Sequence, residues 1–122
     1  MSDLSREQCI KPQKGMPPLS GNEVDNLLPL AEGWLVIDSE EVPKLQKTFR
    51  FKRYKDALDF VVAVGWAADE QDHHPKITIE YGKVTVEWWT HVINGLHRND
   101  FIMAAKTDEI YRSREDTKPR IS

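Results

Sequence analysis

A single cysteine in 122 residues excludes an internal disulfide, and without a second thiol Cys9 is a poor start for a zinc framework. Cys9 reads instead as a free thiol in a loose arm. No apolar run approaches the ~20 residues that span a bilayer, and the opening MSDLSREQCIKPQKG lacks the apolar core of a signal peptide. The expectation is a cytoplasmic protein with no membrane partner. An excess of basic charge is missing too: 17 Lys and Arg stand against 20 Asp and Glu, a net charge of −3, which argues against nucleic acid as a direct partner. The chain has no Walker loop, no Gly-x-Gly-x-x-Gly, and no Ser or Cys in a nucleophile setting. It also lacks a His-x-x-x-His pair and a calcium-type loop. Nucleotide binding, covalent catalysis and metal chemistry are left without a supporting motif, so neither a cofactor nor a metal is expected.

What is present fits one domain, long enough to bury a single core. Residues 1–18 mix charge, proline and glycine without periodicity and read as a flexible N-terminal extension. The domain proper is expected over residues 19–116, with a frayed tail over 117–122. Ser20 and Glu23 have the spacing of a capping box before Val24, Leu27 and Leu28, which predicts a short helix ending near Pro29. GWLVI, residues 33–37, is a strand candidate. Leu45, Phe49 and Phe51 then alternate with polar neighbours at the period of a half-buried strand, although Lys47 interrupts the apolar row. From Tyr54 to about Gln71 the period changes to that of a helix, with Leu58, Val61, Val62, Gly65 and Trp66 forming one stripe. KITIEYGKVTVEWW returns to period two around Gly82, the pattern of a tight hairpin. A last helix is expected from about Asn99 and Asp100. The order predicts an α+β fold, a four-stranded antiparallel sheet with helices packed on one face.

The chemistry-bearing residues are the four histidines. His73 and His74 fall where the long helix ends, because Pro75 pushes the residue before it out of helical geometry, so the two rings must diverge. A histidine there can be no more than a polar helix exit, favourable to the helix dipole. His91 follows the hairpin on the parity of its more polar face, where a lone histidine is ordinarily a strand-end polar residue. Three histidines with a nearby carboxylate such as Asp69 could ligate a metal, but the spacings are wrong for it. Proton transfer fits more simply, since histidine titrates near neutrality and a neighbouring Asp can orient its ring. Asp69 lies one helical turn before His73 and could face it. The tryptophans read as core before ligand platform, with Trp89 projecting from the sheet's less protected side.

Asp69, His73-His74-Pro75, Tyr81, His91 and Asp100 together fill the motif of the pterin-4a-carbinolamine dehydratases, which this chain resembles from about Leu19 to Tyr111. The resemblance implies a four-stranded antiparallel sheet backed by helices, assembled as a homodimer or homotetramer. It implies dehydration of 4a-hydroxytetrahydropterin to quinonoid dihydropterin, with no cofactor, in the service of aromatic amino acid hydroxylases. By the same resemblance His73 and His91 would transfer protons, with His74 and Pro75 shaping and binding and Asp69 orienting His73. Thr90, Val92 and Ile93 would line the pterin pocket beside His91. His97 lies outside the motif and inherits no chemistry. Because some relatives also serve as dimerisation cofactors of transcription factors, the alternative is a non-catalytic module that docks on a protein partner.

Overall fold

The computed structural model describes residues 4–114; the tail over 117–122 lies outside the described residues. Strands β1 (Leu35–Ser39), β2 (Val42–Arg50), β3 (Lys76–Glu80) and β4 (Lys83–Trp88) form one antiparallel sheet in the order β1-β2-β4-β3. Helices α1 (Gly21–Leu27), α2 (Tyr54–Gln71) and α3 (Arg98–Arg112) complete the α+β fold that the periodicity predicted. Period-two burial is visible in the register: Leu45 pairs with Trp88 and Phe49 with Val84, all four buried on the face toward the helices. Lys47 sits in the same row without breaking it. Its ammonium reaches Asp108 Oδ1 at 2.8 Å, and Asp108 Oδ2 also accepts from Trp34 Nε1 at 3.0 Å. The aliphatic stem of such a lysine packs as an apolar residue while its head finds a charge at the core's edge.

Both hairpin turns have two residues. Gly82 takes φ 85° between β3 and β4, as its position in the pattern predicted. Between β1 and β2 the same duty falls on Glu40 and Glu41, at φ 54° and 65°. Two positive φ values match the right-handed twist of the strands, here without glycine. The capping box of α1 forms with both of its bonds, Glu23 N–H to Ser20 Oγ at 3.2 Å and Ser20 N–H to Glu23 Oε1 at 2.8 Å.

Two expectations are corrected. The face of α2 that meets the core carries Ala57, Phe60, Val64 and Ala68, whereas Leu58, Val62 and Trp66 of the expected stripe are exposed, Trp66 by 71%. The helix has two apolar rows, and the one with small residues lets its backbone approach the sheet while Phe60 enters the cluster of Phe49, Phe51 and Tyr111 at ring separations of 5.0–5.8 Å. Aromatic pairs of this kind add about 0.5–1.5 kcal/mol each beyond their area. The second correction concerns the N-terminal arm, which is fastened rather than loose. Leu4 is buried in the core from a 3-10 turn, Leu4–Arg6, and Glu7 holds Arg98 through two bonds of 2.8 and 2.9 Å. Asn99 clamps the backbone of Ile10 from both sides, accepting from its N–H at 3.0 Å and donating to its carbonyl at 2.7 Å. Cys9 is half-buried beside this clamp, and burial pushes its thiol up to about 11. An aperiodic segment reads as disordered because the side-chain bonds that fasten it reach residues more than 60 positions away.

Candidate active site

The site begins with the way α2 stops. Asp72 adopts left-handed geometry, φ 51° and ψ 44°, and the N–H of His73 returns to the carbonyl of Ala68 at 3.0 Å. This six-to-one bond is that of a Schellman stop, with Asp72 at the position glycine most often holds. The chain reverses there, and the two histidines part as Pro75 requires. His73 turns inward and is 6% exposed; its ring lies parallel to Trp88 at 5.9 Å. His74 turns outward, and its Nε2 is 3.3 Å from Asp69 Oδ1, both side chains being largely exposed. Asp69 therefore approaches His74 and not His73. The one-turn spacing would have brought Asp69 to His73 only if the helix had continued.

The carboxylate that does meet His73 comes from the first turn of α3. Asp100 Oδ1 lies 2.6 Å from His73 Nε2, and Asp100 Oδ2 accepts from Thr90 Oγ1 and from the His97 N–H, each at 2.9 Å. Asp100 is 0% exposed. A buried carboxylate needs such donors to be tolerated, and an ionised one can only accept, so His73 donates through Nε2 and keeps its Nδ1 lone pair while neutral. His97, to which no chemistry was assigned, caps α3: its Nδ1 accepts from the Asn99 N–H at 2.9 Å while Asp100 closes the reciprocal bond. Burial, opposed by the charge of Asp100 and assisted by His73, holds the His97 imidazole below its usual value, 6.5. That keeps it neutral and able to accept.

The stretch after β4 completes the wall. Thr90 is buried and forms a bridge with Gly95, closed by Asn94 at φ 49°. A side chain at 95 would meet Pro18 Cβ at 2.7 Å, so glycine is needed there. His91 opens the 3-10 turn His91–Ile93 and leans on Trp89 with ring centroids 4.5 Å apart. The result is an open cavity of about 330 Å³ lined by His73, His74, Thr90, His91 and Val92, and also by Asp72, Lys11 and Pro12. Of the residues expected at the site, Asp69, Pro75 and Ile93 stand outside this lining, and Ile93 is buried. Tyr81, the motif's aromatic, is exposed at the hairpin turn. Reading the sequence missed Lys11 and Pro12, which carried no periodic or motif signal, and gave Asp100 no function although the motif contains it. Among the described residues no cluster of three or more His, Cys, Asp or Glu is arranged to hold a metal ion.

The model of the pterin 4 alpha carbinolamine dehydratase family matches residues 17–110. The chain belongs to that family. A relative from Nitrosococcus oceani that bears the pterin-4-alpha-carbinolamine dehydratase name is 47% identical over 112 residues, covering 92% of this chain and 99% of its own. One of the same name from Microcystis aeruginosa is 45% identical over 92% of this chain and 97% of its own. Among solved structures, a transcriptional coactivator/pterin dehydratase from Brucella melitensis superposes with a TM-score of 0.71 at 30% identity, over 76% of this chain and 97% of that one. A pterin dehydratase-like protein described as a RuBisCO assembly factor of the alpha-carboxysome shares the fold, with a TM-score of 0.57 at 21% identity over 70% of this chain and 96% of its own. Membership makes this dehydratase an enzyme of the hydro-lyase class. Among the described residues no helix is long and apolar enough to cross a membrane.

Proposed function

We propose that this dehydratase converts 4a-hydroxytetrahydropterin to quinonoid dihydropterin by histidine general acid–base catalysis, recycling in the cytoplasm the pterin used by aromatic amino acid hydroxylases. The observation that carries the reading is the meeting of three imidazoles, His73, His74 and His91, on one cavity, one of them backed by a buried carboxylate. The substrate must lose a proton from N5 and hydroxide from C4a, and the hydroxide leaves as water when an acid supplies a proton. One imidazole takes the N5 proton and another protonates the departing oxygen, so the two protons balance and the net loss is one water. Asp100 orients the ring of His73 and fixes its tautomer through the 2.6 Å contact, a positioning role that the resemblance had assigned to Asp69. His74 binds the substrate at the rim, with Pro75 holding its backbone extended. Acid–base help of about 10²–10⁴-fold is what such groups supply.

The test is a coupled assay with enzymatically generated 4a-hydroxypterin. A protein-dependent rate above that in buffer is expected, and a rate equal to buffer would overturn the reading. In that event the second reading, a module that docks on a protein partner, would gain. It draws on the apolar row that α2 turns outward, Tyr54, Leu58, Val62 and Trp66. The same row supports association into a homodimer or homotetramer.

A further inference from the structure

Lys11 and Pro12 reach the cavity from the N-terminal arm, 60 or more positions before the nearest other residue on its wall, Asp72. The arm is held at that point by unusual means. Asn99, a polar side chain only 1% exposed, spends both ends of its amide on the backbone of Ile10, the residue directly before Lys11. One residue earlier, the Cys9 N–H donates to Gln71 Oε1 at 2.8 Å, and Gln71 in turn donates to Gln8 Oε1. Both anchors adjoin the site: Asn99 precedes Asp100, and Gln71 precedes Asp72. A surface arm needs no buried amide to stay attached, since Leu4 and the Glu7–Arg98 pair already hold it. The clamp instead fixes the position of the next residue, and that residue is a cation on the cavity's rim.

We infer that Lys11 is a substrate-binding and specificity-determining residue whose ammonium meets the oxygen-bearing C6 substituent of the pterin; the inference rests on the proposed dehydratase reading. The reacting atoms, N5 and C4a, must lie among the imidazoles. C6 adjoins N5, and its substituent is the part of the substrate free to extend toward the exposed rim, where Lys11 stands. An ammonium is a donor with no accepting capacity, so it recognises hydroxyl or anionic oxygen and gains nothing from an alkyl group. Nor is it placed by chemistry to act on the reacting ring, where positive charge grows as hydroxide departs and a fixed cation would oppose it.

The experiment compares a substrate carrying a hydroxylated C6 chain with its 6-methyl analogue, in wild type, Lys11→Met and Lys11→Arg. Lys11→Met should raise KM for the hydroxylated substrate by about three- to tenfold, as befits a charge-assisted contact at an exposed rim, with little change in kcat and none in KM for the 6-methyl analogue. Lys11→Arg should restore most of the loss. Equal KM changes for both substrates, or none for either, would overturn the inference while leaving the dehydratase reading intact. Titration of 7,8-dihydrobiopterin and 6-methyl-7,8-dihydropterin against protein fluorescence keeps the two apart if turnover is absent. A Lys11-dependent preference in binding alone would support the contact without the activity, and no binding of either pterin would overturn both. Because Lys11 is exposed, its replacement does not endanger the fold. Asn99→Ala, which removes both bonds to the Ile10 backbone and so loosens the position of Lys11, should reproduce the Lys11→Met pattern, and the double variant should be no worse than either single one.

Discussion

His73 and His91 reach one cavity under opposite conditions, one buried against Trp88 and bonded to Asp100, the other exposed beside Trp89. If both transfer protons, His73→Ala and His91→Ala should each lower turnover by about 10²–10⁴-fold, with less than additive loss in the double variant because both act on one transition state. His97→Ala should change turnover by less than about tenfold, a barrier difference below about 1.4 kcal/mol. Asp100→Asn should approach the loss of His73→Ala, since an amide in place of the carboxylate no longer dictates the tautomer of His73, while Asp69→Asn should be mild. Steady-state kinetics on variants shown by thermal melts to be folded decide this. Similar losses at 73, 91 and 97 in stable protein would sink the assignment.

Between residue and element stands the cap of α3, because the same first turn carries Asp100 to His73. The cap works only while His97 Nδ1 is unprotonated. Its folded-state value lies below the ordinary 6.5 through burial first, opposed by Asp100 and assisted by His73. Above about pH 6.5 the ring is neutral in both folded and unfolded chains, and its contribution to stability is fully present. As the pH falls below that, the unfolded chain takes the proton first, so stability is lost progressively until the lower folded value is passed. His97→Ser keeps a capping oxygen and removes this titration. Thermal melts between pH 7.5 and 5.5 should therefore fall less steeply for His97→Ser than for wild type, whereas His97→Ala should lose about 1 kcal/mol already at pH 7.5. Parallel pH curves for wild type and His97→Ser would refute the capping account.

At the scale of the whole molecule, the exposed row Tyr54, Leu58, Val62 and Trp66 runs along α2 at intervals of four residues. Trp89, expected to project from the sheet's less protected side, is half-buried with Lys44 Nζ 3.9 Å above its ring. Apolar surface gathered on one helix face is the kind that association buries. Sedimentation at micromolar concentration should report at least a dimer of the 14.1 kDa chain, and Trp66→Glu should shift it toward monomer without lowering helix content. A wild-type monomer would contradict the expectation of a homo-oligomer.

The strands, the Gly82 hairpin, the Ser20 capping box and the divergence of His73 from His74 were legible in the sequence. Each depends on neighbours within a few positions: alternation, a three-residue spacing, a proline after a histidine. The motif residues could be named for the same reason, as a linear pattern. Three things were decided only by tertiary structure. Which of two apolar rows on α2 faces inward depends on how closely Ala57 and Ala68 let the helix approach the sheet, and the sequence alone contains both rows. That Asp100 and not Asp69 meets His73 follows from Asp72 reversing the chain at the helix end, which removes the one-turn neighbour and turns the ring toward a carboxylate 27 positions later. The arm lies on the site because Leu4 finds the core and Asn99 finds the backbone of Ile10, contacts 89 positions apart that no local period encodes.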